Sequence, residues 1–136
     1  MKQLIKKTLI VFSLLASAIL YGETPNEGAA VIRDLIKEKK YDVLFPSRYS
    51  EWHKTEKEGV GQDEAIRRLS VMFEKKHEVL LSIYEQLAES EFTISEYEYP
   101  QVTETGKVAS AMVQFGSKAV PFKLYEMKDG TWGFHL

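Results

Sequence analysis

The chain has 136 residues, 44% hydrophobic and 28% charged, with no cysteine and a formal net charge of −2. These values exclude a disordered or membrane-filled chain, disulfide staples and the lipid-bearing cysteine of a lipoprotein, and they fit one domain with an ordinary apolar core. Lys2, Lys6 and Lys7 open the chain and no acid precedes Glu23, so the remainder sets 15 basic groups against 20 acidic ones, a balance that repels nucleic-acid phosphate and anionic lipid.

The first 22 residues have the three parts of a secretory signal: the basic start, an apolar run from Leu9 to Leu20, and the small residues Ala16-Ser17-Ala18. The run from Thr8 to Tyr21, with Ser13 and Ser17 inside it, is short for a spanning helix, which needs about 20 consecutive apolar residues. Cleavage is expected, and positions after Ala18 and after Gly22 both fit. The mature chain is then free of any stable membrane anchor, in a bacterial periplasm or secreted. Residues 23–28, Glu-Thr-Pro-Asn-Glu-Gly, read as a flexible leader, and 29–136 as a single domain.

Ala29, Ile32, Leu35 and Ile36 recur at helical spacing up to the run Lys37-Glu38-Lys39-Lys40, which suits the cation-rich last turn of a first helix. Pro46 places a break near Phe45. A short second helix is expected from Ser47 to about His53, then a mobile charged loop from Lys54 to Gly61. Asp63 suits an N-cap with Glu64 in the first turn. The helix it opens, 63–88, is expected to be long and amphipathic, with Ile66, Leu69, Phe73, Leu80, Tyr84 and Leu87 on one stripe.

After Glu91 the period turns strand-like. Phe92-Thr93-Ile94-Ser95 alternates, and the phase slips before Tyr97 and Tyr99, as a bulge near Ser95 would cause. Glu104-Thr105-Gly106-Lys107 reads as a turn, followed by Ala109, Ala111, Val113 and Phe115 at alternate positions. Gly116-Ser117-Lys118 turns into Val120, Phe122 and Leu124, and Asp129-Gly130 is a hairpin signal leading to Trp132, Phe134 and Leu136. The expected fold is α+β: N-terminal helices, the long one packed on a curved four-stranded antiparallel sheet.

The helix 63–88, the run from Val108 to Phe115, and the ending Phe122-Lys123-Leu124-Tyr125-Glu126-Met127-Lys128-Asp129-Gly130-Thr131-Trp132 resemble the nuclear-transport-factor-2-like (cystatin-like cone) superfamily, in particular its small exported bacterial members of unknown function. The resemblance covers most of the mature chain and implies a cone-like sheet around a space that holds a ligand, a catalytic site or packed side chains. Fold alone does not settle which. No catalytic motif of the family matches residue by residue.

Among candidate residues, His77-Glu78 begins like a zinc-protease helix, yet the second histidine position holds Leu81, so no metal site is expected from His53, His77 and His135. No cofactor is indicated. His77 falls on the apolar stripe, where it is either a core-edge residue or a polar group at a cone pocket. With Phe73, Tyr84, Tyr97, Tyr99 and Trp132 it makes the candidate pocket lining. Two functions of different class follow. The leading one is a non-enzymatic exported binding or accessory domain for a small apolar ligand or a protein partner; the alternative is a small lyase or isomerase using His77 or Asp42 with a tyrosine. A third reading, a homodimer through the sheet, takes Ala109, Ala111 and Val113 as outward-facing. Nucleic-acid binding lacks the basic groove it needs.

Overall fold

The computed structural model describes residues 22–136; the basic start and the apolar run of the expected export signal lie outside the described residues. Among the described residues the fold is α+β, with five helices followed by an open four-stranded antiparallel sheet of order β1-β2-β3-β4. The helices are α1 (Pro25–Lys37), α2 (Tyr41–Arg48), α3 (His53–Lys57), α4 (Gln62–Lys75) and α5 (His77–Ala88). The strands are β1 (Thr93–Glu96), β2 (Glu104–Phe115), β3 (Lys118–Met127) and β4 (Trp132–Gly133).

Helix α1 starts four residues earlier than apolar spacing alone indicates, because residues 23–28 carry capping chemistry rather than a flexible leader. Thr24 caps the helix with a reciprocal box: Glu27 N donates to Thr24 Oγ1 at 3.1 Å and Thr24 N donates to Glu27 Oε1 at 2.8 Å, with Pro25 in the first turn. Its buried face, Ala29, Ile32 and Ile36, lies along α5. Helix α2 runs through Pro46 instead of breaking before it. Pro46 removes one helical bond, to the carbonyl of Asp42, which lies on the exposed side of the helix start. Of the expected loop from Lys54 to Gly61, the first half forms the end of α3.

The long rod expected over 63–88 is two helices broken at Lys76, whose backbone angles are φ −115° and ψ 20°. Gly61, not Asp63, is the N-cap of the first, and Asp63 and Glu64 occupy its first turn. The break has a packing cause. Helix α4 buries Ala65 and Phe73 toward α2 and α3, whereas α5 buries Ile83, Tyr84 and Leu87 toward α1 and β2, and no side chain from Glu74 to Lys76 is buried to hold the turn between them.

Ala109, Ala111 and Val113 of β2 and Leu124 of β3 are buried in the core that the helices cover. The outward placement of those alanines and of Val113 is therefore corrected: the helix layer lies on their side of the sheet. The tetrapeptide Glu104-Thr105-Gly106-Lys107 is not a turn but the first part of β2, with an irregular register between Glu104 and Val108 and Gly106 at φ 101°, a conformation open to glycine. Phe115 pairs with Lys118 across a two-residue connection. Asp129 closes the β3–β4 turn as expected, its Oδ1 accepting from Thr131 N at 3.0 Å and from Thr131 Oγ1 at 2.6 Å.

After β4 the chain crosses the end of α2. Phe134 N donates to Arg48 O at 2.8 Å and Ser50 N donates to Phe134 O at 3.0 Å, a single parallel bridge between Tyr49 and Phe134. Gly133 makes the crossing feasible, since a Cβ there would lie 2.4 Å from Arg48 O. Gly133→Ala is expected to destabilise the domain by about 1–3 kcal/mol, the usual result of forcing a methyl into a packed site; thermal or urea unfolding checks it, and an unchanged midpoint would mean that the crossing relaxes freely.

Candidate functional site

Polar groups converge where β2 begins, β3 ends and the last residues cross α2. Glu104 is 2% exposed, an uncommon position for a carboxylate. A local turn places it, with Glu104 N donating to Gln101 O at 2.9 Å and Gln101 N donating to Glu104 Oε1 at 2.7 Å. Tyr97 Oη donates to the same Oε1 at 2.5 Å, and His135 Nε2 donates to Oε2. A carboxylate can only accept, so this contact holds the imidazole proton on Nε2. The Tyr125 ring stacks on His135, centroids 3.5 Å apart and planes 10° from parallel, and meets Tyr97 edge-on at 5.5 Å.

Ser50 underlies the cluster. Its carbonyl accepts from Thr103 Oγ1 at 2.7 Å and faces His53 Nδ1 at 3.2 Å, while its hydroxyl is buried without a well-aligned partner. Burial pushes the Glu104 carboxyl up, but hydrogen bonds from Tyr97, His135 and Gln101 N pull it further down, so it stays below the usual glutamate range. Burial first, and then the bond to Glu104, raise the Tyr97 hydroxyl. Burial, then the charges of Glu104 and Glu51, raise Tyr125.

Chemically, this is an oriented carboxylate–imidazole pair under an aromatic cover. Both Glu104 oxygens are occupied and its side chain is fully enclosed, so the carboxylate positions His135 rather than meeting a solute itself. The imidazole is 29% exposed. Two open depressions, of about 190 Å³ beside Tyr49, Val60, Ala65 and Leu69 and about 400 Å³ beside Pro46, Val102, Thr103 and Met127, lie elsewhere and are lined by neither Glu104 nor His135.

The residues singled out from sequence are placed in three regions. Phe73 and Tyr84 are buried and meet around Phe134, with ring centroids 5.9 and 6.5 Å from it. Trp132 is buried against α1, its indole N–H donating to Glu23 O at 2.9 Å. Tyr97 belongs to the Glu104 cluster, whereas Tyr99 is 90% exposed. His77 opens α5, half-buried, with a buried Nδ1 that has no hydrogen-bond partner among the described residues. Asp42 is exposed in the first turn of α2, and among the described residues no hydrogen bond joins Asp42 or His77 to a tyrosine. No group of three His, Asp or Glu side chains among the described residues could hold a metal ion.

Sequence reasoning missed Glu104, His135 and a second buried ionic contact. Arg48, 8% exposed, pairs with Glu23, whose Oε1 also accepts from Trp132 N at 2.9 Å; Arg48 Nη1 donates to Trp132 O at 3.1 Å. Strand parity held one usable signal: His135 follows the inward Phe134 and so falls on the opposite side. Nothing in the order of residues marks Glu23 as the partner of Arg48.

No family model, curated protein or solved structure matches the chain. The geometry alone carries the functional reading.

Because the Glu104 carboxyl titrates lower in the folded chain than in the unfolded one, it stabilises the fold above the ordinary carboxylate range, and that contribution is lost as pH falls through the lowered value. Wild-type melting temperature is expected to fall on acidification below about pH 4. Glu104→Gln should cost about 1–3 kcal/mol at neutral pH, by leaving buried donors ill-matched, and should flatten the acid limb. Parallel acid profiles for the two proteins would remove Glu104 from this role.

Proposed function

We propose that this chain is exported to a bacterial periplasm, loses its leader after Ala18 or Gly22, and acts there as a non-enzymatic accessory domain of the nuclear-transport-factor-2-like, cone-like kind that recognises a protein partner rather than a small apolar ligand. The observation that carries the choice is the position of Phe134. In a cone fold the ligand space lies between the covering helix and the inner sheet face. Here Phe134 sits between Phe73 and Tyr84, 6.5 Å from Phe45 and stacked at 5.8 Å on Tyr49, and Val113 and Leu124 close the sheet side as fully buried residues. Interiors packed in this way exclude solutes, which leaves recognition to the surface.

Two measurements test this reading. Fractionation with intact-mass analysis is expected to find a periplasmic chain beginning at Ile19 or Glu23; an unprocessed cytoplasmic chain would contradict export. Native mass spectrometry of the gently purified protein should give the ligand-free mass, and a library of small apolar compounds should leave the melting temperature unchanged. A co-purifying small molecule, or compounds that stabilise wild type by binding the folded state but fail with Phe134→Trp, would show that the interior opens and would overturn the partner reading.

A further inference from the structure

Among the described residues, strand β1 lies at one edge of the sheet, pairs only with β2, and is exposed at all four residues. Tyr97 N donates to Gly106 O at 3.0 Å, which fixes the parity of the ladder. In an antiparallel pair alternate residues turn their backbone groups to the partner, so Thr93 and Ser95 face β2 while the N–H and C=O groups of Ile94 and Glu96 face outward. These are the groups to which an added strand bonds.

The charge around this edge has one sign. Between Lys76 and Lys107 the sequence holds seven glutamates and no lysine or arginine. Glu104 is the buried member; Glu89, Glu91, Glu96 and Glu98 flank the edge, all are exposed, and none forms an ion pair among the described residues. Lys107, opposite Glu96 in the register, makes no ion pair with it either. Just beyond the strand, Tyr99 holds φ 59°, a conformation few non-glycine residues adopt, and displays 90% of its surface. The Tyr99 side chain buries little of its surface within the fold, and tyrosine is a frequent anchor of protein interfaces. A second copy paired edge to edge would bring these carboxylates against each other.

From the open edge, its unpaired carboxylates and the displayed tyrosine, we infer that β1 is the docking strand for an extended, lysine- and arginine-bearing segment of a protein partner, added to the sheet through the backbone of Ile94 and Glu96 and held by the flanking carboxylates and by a cation over Tyr99. The inference rests on the partner-binding reading above and supplies the surface and the partner's chemistry.

The mature protein titrated with a short peptide alternating arginine and threonine tests it, with a glutamate–threonine peptide as control. Amide shifts are expected at 93–99, with slowed exchange of the Ile94 and Glu96 amides and binding that weakens with salt. Ile94→Pro removes an outward N–H without removing a β1–β2 bond and should weaken the arginine peptide by about tenfold. Glu96→Lys combined with Glu98→Lys should weaken it comparably and admit the glutamate peptide; the melting temperature of each variant checks that it is folded. Binding with shifts confined to other elements, affinity unchanged in both folded variants, no binding at low salt, or dimerisation through β1 would each overturn the edge assignment while leaving the partner reading standing. A small molecule found in the interior would overturn that reading instead, without altering the peptide result.

Discussion

The passage of Trp132, Gly133 and Phe134 over the end of α2 is the constraint on which the rest of the structure depends. Two backbone hydrogen bonds, Phe134 N to Arg48 O and Ser50 N to Phe134 O, set its register. At that register Phe134 enters the aromatic core and His135, one residue later, is delivered to Glu104 on the other side. A shift by one residue would exchange the two, placing an imidazole among Phe45, Phe73 and Tyr84 and a phenyl ring against a buried carboxylate. Strand periodicity makes such a slip an all-or-none error.

Two buried ionic groups flank this crossing and divide its polar demand. Arg48 draws Glu23 and the Trp132 backbone together, tying the segment before α1 to β4. Glu104 draws Tyr97, Gln101 and His135 together, tying the start of β2 to the last residues. Each is met by an opposite charge or by several hydrogen bonds, the condition under which a buried charge is tolerated. The aromatic residues between them provide apolar area, and their edge-on contacts, such as Phe45 with Phe73 at 4.8 Å and 89°, add directional preference. Outside these two polar nests, the edge strand β1 is exposed at all four residues, and among the described residues its flanking glutamates form no ion pair.

The fold class was legible because it rests on local periodicity. Helical spacing from Ala29 to Ile36, the alternation of Ala109, Ala111 and Val113, and the Asp129-Gly130 turn are properties of neighbouring residues, and the chain realises each as a helix, a strand and a hairpin. Pro25, Asn26 and Gly28 within four residues suggest a linker before Ala29, whereas Thr24 and Glu27 at capping spacing outweigh them. The stretch from Asp63 to Ala88 keeps helical period through Lys76 and so predicts one unbroken rod; the break comes from the two halves packing on different neighbours, which periodicity does not encode.

What the sequence determined by itself is therefore the α+β class, helices before a four-stranded antiparallel sheet, and the acidic balance of the chain after its first 22 residues, since both follow from composition and short-range spacing. The tertiary structure alone decided which face of β2 the helices cover, that Phe134 occupies the interior, and that Glu23 meets Arg48 and Glu104 meets His135. Those are contacts between residues 25 and 31 positions apart or more, and they depend on the geometry of a single crossing. Neither periodicity nor composition carries information about a crossing, because it is fixed by side chains packing simultaneously from both sides of it.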